Sequence, residues 1–288
     1  MFIIKIITIE DEYYPDQLKR IKNPPRQLYV LGNEKLLSGP NFAIIGSRNS
    51  TNYGEKQAMR FAKELSLGSF NIVSGMAKGI DSVAHRGCMS VGGNTIAVLG
   101  SGFNNIYPAI NIPLFHEILE KGGVVITEYP PNVRASYQNF PARNRIVSGL
   151  CKGVLVIEAA YRSGTSITAK CAETQRRDVF CIPSSVDSNK GVGTARLIVK
   201  GAKLILKPSD ILKKYNMNIE NGGAESIEYN IPEIYKETYN CIENSICNVD
   251  EIARCLKRPV QEINEELFML ELEGLIEKKP GGDYVPKT

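Results

Sequence analysis

Four short stretches concentrate the side chains that could do chemistry. Gly46-Ser47-Arg48 follows one apolar run and precedes a helical pattern. A dinucleotide-binding turn would carry Gly-x-Gly-x-x-Gly there, with bare backbone against the pyrophosphate; this chain has an arginine instead. Gly75-Met76-Ala77-Lys78-Gly79 sets a lysine between two glycines, where backbone N–H groups and a helix start could hold a phosphate. Phe140-Pro141-Ala142-Arg143-Asn144-Arg145, read as a loop, places an aromatic ring beside two guanidiniums. Arg162-Ser163-Gly164-Thr165 adds a cation, hydroxyls and a further helix start. Each stretch has a plain structural explanation when taken alone. Brought to one edge of a sheet they would line a groove in which cations follow phosphates and a ring takes bases, the equipment of a single-strand nucleic-acid site.

Other reactive residues point to structure rather than catalysis. His85 lies four residues after Asp81 on a predicted helix, where a mutual hydrogen bond would fix the turn; His116 stands apart. No serine or cysteine has a nucleophile motif around it, so no catalytic residue is assigned. Tyr107 and Tyr129, each followed by proline, could stack on bases or pack against their loops. The seven cysteines are odd in number and form no Cys-x-x-Cys pair. That excludes a disulfide framework and a zinc site, and fits idle thiols in a reducing cytoplasm. Neither metal nor cofactor is expected, and no apolar run reaches transmembrane length.

The elements that must position these stretches follow from periodicity. Short apolar runs at Phe42–Gly46, Asn71–Ser74, Thr95–Leu99, Val124–Thr127, Val154–Ile157, Val179–Ile182 and Lys203–Leu206 predict strands. Helical patterns such as Gly54–Leu67, Ile80–Met89 and Ser166–Gln175 separate most of them. Continuous Val/Ile-rich strands alternating with helices predict an α/β fold: a Rossmann-like, doubly wound, mostly parallel sheet covered on both faces. Ligands in such sheets sit beyond the carboxyl ends of the strands, which is where the four stretches fall. Residues 1–40 read as a short extension packed on the core, with the apolar first nine residues as a sheet-edge strand or packing arm. Residues 41–215 form the core and 216–230 a polar, glycine-containing linker. Residues 231–288 show three helical patterns and two short strands about Gly281-Gly282, a small C-terminal winged-helix domain.

Charge separates the two parts. The whole chain carries 35 basic and 31 acidic residues, a net of +4. Residues 225–288 hold 7 basic and 14 acidic, a net of −7, which leaves +11 on the first 224. A polyanionic partner therefore suits the body, not the tail. The third predicted helix of the tail spaces Glu262, Glu266 and Glu273 to form an acidic stripe that phosphates would avoid.

Tyr14-Pro15, Pro24-Pro25, Ile44-Ile45-Gly46-Ser47-Arg48, Ser74-Gly75-Met76-Ala77-Lys78-Gly79-Ile80-Asp81, Ala84-His85, Glu128-Tyr129-Pro130, Phe140-Pro141-Ala142-Arg143-Asn144-Arg145 and Ser163-Gly164-Thr165 occur in that order. This series resembles the DprA/Smf family, the DNA-processing proteins of natural transformation, over roughly residues 13–210. The resemblance implies a cofactor-free Rossmann-like core that binds single-stranded DNA, forms a homodimer and loads RecA recombinase. It implies a DNA pocket lined by Ser47, Arg48, Phe140, Arg143 and Arg145. Gly75, Lys78, Asn144, Arg162, Ser163, Gly164 and Thr165 join them from the reading of the loops. Three departures stand out: the chain begins close to the core without the helical module of many relatives, Ala195 replaces a polar residue, and Pro183-Ser184-Ser185 replaces Pro-Gly. The competing reading is a nucleotide phosphoribohydrolase of the lysine-decarboxylase-like group. Its Pro-Gly-Gly-x-Gly-Thr-x-x-Glu signature is matched here only by Ser163-Gly164-Thr165, with Glu158 or Glu173 as the available carboxylates.

Overall fold

The computed structural model describes residues 3–161, 163–185, 188–217, 232–243, 248–279 and 282–286. Two compact units, Met1–Gly222 and Gly223–Thr288, divide the chain. Beyond Met217 the stretch read as a linker lies outside the described residues.

The first unit opens with β1 (Lys5–Thr8), α1 (Asp16–Lys19) and β2 (Gln27–Gly32). An alternating run then follows: β3 (Asn41–Ile45), α2 (Asn52–Leu67), β4 (Asn71–Ser74), α3 (Ile80–Met89), β5 (Thr95–Leu99), α4 (Ile112–Glu120) and β6 (Val124–Thr127). Next come α5 (Asn139–Gly149), β7 (Gly153–Val156), α6 (Gly164–Thr174), β8 (Asp178–Cys181), α7 (Val192–Val199), β9 (Lys203–Leu204) and α8 (Pro208–Lys214). One sheet holds the nine strands in the order β1-β2-β6-β5-β4-β3-β7-β8-β9. Pairing is parallel from β6 through β9 and antiparallel for β1 with β2 and β2 with β6. The sheet is therefore doubly wound and mostly parallel. The stretch before residue 41 supplies two strands of this sheet, β1 at its edge and β2 beside it. The alternation of Leu28, Val30 and their neighbours completes a ladder that the antiparallel β6 edge left open.

Burial on both faces explains the unbroken apolar strands. Along β3, Ala43 and Ile45 join the core beneath α1, α5 and α6, while Phe42 and Ile44 join the core beneath α2, α3 and α8. β7 repeats the division with Val154 and Val156 on one side and Leu155 on the other. Phe42 centres an aromatic group, its ring 5.2 Å from Phe70, 5.8 Å from Phe180 and 6.1 Å from Tyr215.

The second unit contains α9 (Lys236–Glu243), α10 (Val249–Leu256), α11 (Val260–Leu272), β10 (Ile276–Lys278) and β11 (Tyr284–Pro286). The two strands pair antiparallel, and the three helices pack about Ile252, Ile263, Leu267 and Tyr284: a winged helix. The acidic stripe expected on its third helix is not continuous. Glu266 is buried, accepting from Thr238 Oγ1 at 2.5 Å and from an Arg258 terminal nitrogen at 2.6 Å. Glu262 is paired with the same arginine at 3.2 Å. A buried carboxylate needs such donors, and Arg258 neutralises two members of the stripe. Among the described residues no helix is long and apolar enough to cross a membrane.

Replacing Phe42 by alanine removes the hub of the ring cluster, and a loss of about 3–5 kcal/mol in unfolding free energy is expected. Chemical denaturation of the variant measures it; a loss under about 1 kcal/mol would mean that the cluster contributes little.

Candidate nucleic-acid interface

The strand order reverses at β3, which has β4 on one side and β7 on the other. Open α/β sheets bind ligands at such a switch point, outside the carboxyl ends of the strands. A cleft of about 810 Å³ opens there, walled by the turns after β3, β4 and β7 and by α5. Its volume lies in the upper part of the range for small-ligand sites, about 300–1,000 Å³.

The turns after β3 and β4 are locked together. Ile80 N–H donates to Ser47 O at 3.2 Å. Gly79 has φ +83°, and a Cβ there would stand 2.4 Å from Ser47 O, so only glycine fits. Ser47 folds onto its own turn, donating to Asn49 O at 3.0 Å and accepting from Asn49 N at 3.2 Å. Thr51 caps α2 by accepting from Gly54 N at 3.0 Å, and the buried Glu158 carboxylate accepts from Thr51 N at 3.1 Å and from Thr51 Oγ1. Glu158 is thereby committed to fixing the first turn. Glu173, exposed, places its charge toward Cys181 of β8; neither carboxylate lines the cleft.

Two N–H groups of the turn after β4 are already engaged within the protein. Gly75 N and Ala77 N donate to the Asp81 carboxylate, at 3.1 and 3.4 Å. Burial raises the Asp81 pKa, and the Arg143 guanidinium is the first of the interactions that oppose it. Arg143, 5% exposed, donates to Gly75 O and Val98 O. Burial pulls its pKa down to about 10, against the Asp81 charge, which still leaves it a cation at neutral pH. A Cβ on Gly75 would come within 2.7 Å of that guanidinium. Arg143 thus lies in the cleft floor as a strut that ties β4, β5 and α5.

An aromatic wall rises over this floor. The Phe140 ring packs onto Gly100, where a Cβ would approach it to 2.9 Å. Tyr107 lies 5.5 Å from it, and the Arg48 guanidinium rests 5.1 Å from its centre. Such an exposed cation–π contact contributes about 0.5–1 kcal/mol and holds an otherwise long, mobile side chain at the mouth. Across the cleft, Thr165 donates to Gly46 O at 3.0 Å, Asn144 donates to Gly164 O at 3.3 Å, and Ser163 caps α6 by accepting from Ser166 N at 3.4 Å. A Cβ added at Gly164 would meet nothing within 4 Å, so the backbone is open to a ligand.

The structure therefore gathers Ser47, Arg48, Gly75, Phe140, Arg143, Asn144, Ser163, Gly164 and Thr165 around one cleft. It removes two others. Arg145 turns to the opposite side of α5, where its terminal nitrogens donate to both Glu128 oxygens at 2.7 and 2.9 Å and its Nε to Asn23 O at 3.0 Å. Two residues along a helix mean a rotation of about 200°, so Arg143 and Arg145 cannot share a face. The stretch read as a loop is the start of α5 itself. Lys78 is exposed but lies outside the cleft walls, and Arg162 lies outside the described residues. Tyr137, 95% exposed, and Ile167 line the cleft although sequence reasoning did not select them. The spacing of Tyr137 three residues before Phe140 was the available signal. His85 is structural, but its partner is not Asp81: Nδ1 stands 2.7 Å from Thr95 Oγ1. Thr95 donates onward to Ile72 O, so Nδ1 is the donor. Burial lowers the His85 pKa to about 3, leaving the ring neutral.

Fold and site together define a Rossmann-like α/β protein with a C-terminal winged-helix domain and a cationic, aromatic cleft at its switch point. The chain belongs to the DNA recombination-mediator protein A family, whose model matches residues 5–216; the DprA winged helix domain matches residues 235–282. It is similar to Protein Smf of Escherichia coli (strain K12), 37% identical over 96% of this chain and 76% of that protein. DNA processing protein DprA of Streptococcus pneumoniae is 40% identical over 72% of this chain and 73% of its own length. The solved structure of Streptococcus pneumoniae DprA superposes with a TM-score of 0.70, covering 73% of this chain and 74% of that one. A structure of DNA processing protein A from Helicobacter pylori, described for its single-stranded DNA binding mode, gives 0.67 at 30% identity. It is covered over 96% of its length and this chain over 74%.

The separate roles of the two cleft arginines can be measured. Replacing Arg143 by methionine strands the Asp81 carboxylate and two carbonyls, and a loss of about 3–5 kcal/mol in stability is expected. Arg48→Ala, which loses only the exposed cation–π contact, should change stability by no more than about 1 kcal/mol. Equal unfolding midpoints for the two variants would refute the assignment of Arg143 as a strut.

Proposed function

We propose that this chain binds single-stranded DNA in the switch-point cleft, protects incoming DNA and loads RecA recombinase onto it during natural transformation. The observation that carries the reading is the Arg48–Phe140 pair at the cleft mouth, with Tyr107 and Tyr137 beside it. A guanidinium supplies a planar fork of donors for phosphate oxygens. A ring held edge and face by its neighbours is a stacking platform that tolerates any base. The net charge of +11 on the first 224 residues draws a polyanion to this unit. The Helicobacter pylori relative, with its described single-stranded DNA binding mode, supports the same ligand here. The RecA step rests on family membership and on the need to pass a bound strand to a recombinase. Cytoplasmic location follows from that partner.

The reading includes a homodimer formed by the C-terminal half of the core. Val199 on α7, Leu204 on the edge strand β9 and Leu206 beyond it are 88, 51 and 61% exposed. Edge strands with outward apolar residues call for a cover. Charge substitutions at Val199 and Leu204 should convert a dimer into a monomer in light scattering at tens of micromolar. A wild-type chain that is monomeric at that concentration rules the dimer out.

In gel-shift or anisotropy assays single strands should bind more tightly than duplex, with a salt slope of about −0.7 per phosphate neutralised. Arg48→Ala should cost about 1.5–3 kcal/mol of binding, as for a hydrogen bond to a charged group. Arg48→Lys should recover part of it, and Phe140→Ala should cost about 1–3 kcal/mol. Folded alanine variants that bind like wild type would move the site elsewhere.

A further inference from the structure

The cleft is open along α6. Ile167, 42% exposed, and Thr168 form its wall there, and the next turn presents Lys170 to solvent. At a rise of ~1.5 Å per residue, Lys170 stands about 9 Å along the helix from Gly164. Beyond it the surface runs onto the segment that covers α5. The Gln175 side chain donates to Arg145 O at 2.9 Å, and Arg145 Nε donates to Asn23 O at 3.0 Å. Arg177 donates to Gln17 O at 3.0 Å and to Gly149 O at 3.2 Å. These bonds bring the end of α6 against residues 17–23.

Four exposed cations stand on this seam: Lys170, Arg176, Arg20 and Lys22. Among the described residues none of the four forms an ion pair. The neighbouring carboxylates are committed elsewhere, Glu128 to Arg145 and Asp16 to Lys19 at 3.8 Å. Glu173, exposed three residues after Lys170 and so beside it on α6, is the one carboxylate of the seam that no ion pair engages among the described residues. The fields of Arg145 and Lys170 overlap at the Cys171 thiol, and that of Arg20 reaches Arg177. Four cations against one carboxylate leave the seam a net positive charge, which a polyanion would offset.

We propose that this seam is the track by which a single strand leaves the cleft: DNA passes over Ile167 and continues across Lys170, Arg176, Arg20 and Lys22, held by its phosphates. The proposal rests on the cleft being the single-strand site. The track contributes affinity and footprint, while the cleft holds the bases. An acidic protein segment is the other polyanion the seam could take, and the test separates the two.

Anisotropy with oligothymidylates of about 6 and about 20 nucleotides, lengths chosen from single-strand site sizes of ~4–16, reads the track directly. The wild-type chain should bind both, the longer at least tenfold more tightly. A triple variant Arg20→Glu, Lys22→Glu, Lys170→Glu should keep the short oligonucleotide within about threefold, since screening falls off over ~10 Å. It should lose the gain from length, and its salt slope on the long oligonucleotide should fall in magnitude by about 2, three phosphates at ~0.7 each. Alanines at the same positions, with an unchanged thermal midpoint, should show a smaller loss in the same direction. A triple variant that keeps the full gain and slope overturns the track and leaves an acidic protein as the seam's partner. Failure of the wild-type chain to bind either oligonucleotide overturns the cleft reading, and the track with it.

Discussion

The guanidinium of Arg143 is the interaction on which the site depends. It is withdrawn from water at the convergence of two strands and a helix, donating to Gly75 O after β4 and to Val98 O within β5. An arginine buried in this way needs acceptors on most of its donors and a counter-charge nearby, or its burial would cost several kcal/mol. Asp81 supplies the charge, and the same carboxylate receives two N–H groups of the turn that follows β4. Cation, carboxylate and turn therefore stabilise one another, and none can move alone.

This closed set frees the rest of the cleft for a ligand. Because Arg143 secures α5, Phe140 at its first turn is held against Gly100 in the cleft wall. Because Gly79 and Ile80 seat against Ser47, the turn bearing Arg48 is held in place, while its guanidinium forms no ion pair among the described residues. A fixed backbone with a free donor fork is a preorganised phosphate contact, since most of the ordering cost is met before binding. The glycines at 75, 79 and 100 serve this arrangement through close packing, in place of the bare approach to a pyrophosphate that a dinucleotide fold requires.

The winged-helix unit follows a different electrostatic rule. Its helix α11 uses Glu266 internally, against Thr238 and Arg258, so a residue that adds to its negative sum is also part of its core. The surface that remains combines Glu265 and Glu271 with exposed Phe268 and Leu272. Phosphates are repelled there, and the unit carries none of the cationic turns of the core.

The sequence by itself determined the sheet and its chemistry. Strands Asn71–Ser74, Thr95–Leu99 and Val124–Thr127 were legible to the residue because each centres on adjacent Val, Ile, Ala or Leu residues with no polar alternation, the pattern of a strand buried on both faces. The antiparallel strands β1 and β2 were less so: β1 is mostly exposed, β2 is partly exposed, and only the one-turn helix α1 stands between them. Helix α5 escaped the pattern because it buries Arg143, Asn144 and Ser148, polar residues that break the apolar period by which helices are recognised. Arg48, Arg143 and Arg145 are alike in one dimension. Their roles were decided by partners distant in the chain: for Arg143, Gly75 is 68 residues away and Val98 is 45, for Arg145, Glu128 is 17, and Arg48 rests against the ring of Phe140. Composition can place three guanidiniums near one sheet edge, but which is strut, which is tether and which faces the ligand depends on carbonyls and carboxylates that only the tertiary fold brings within reach.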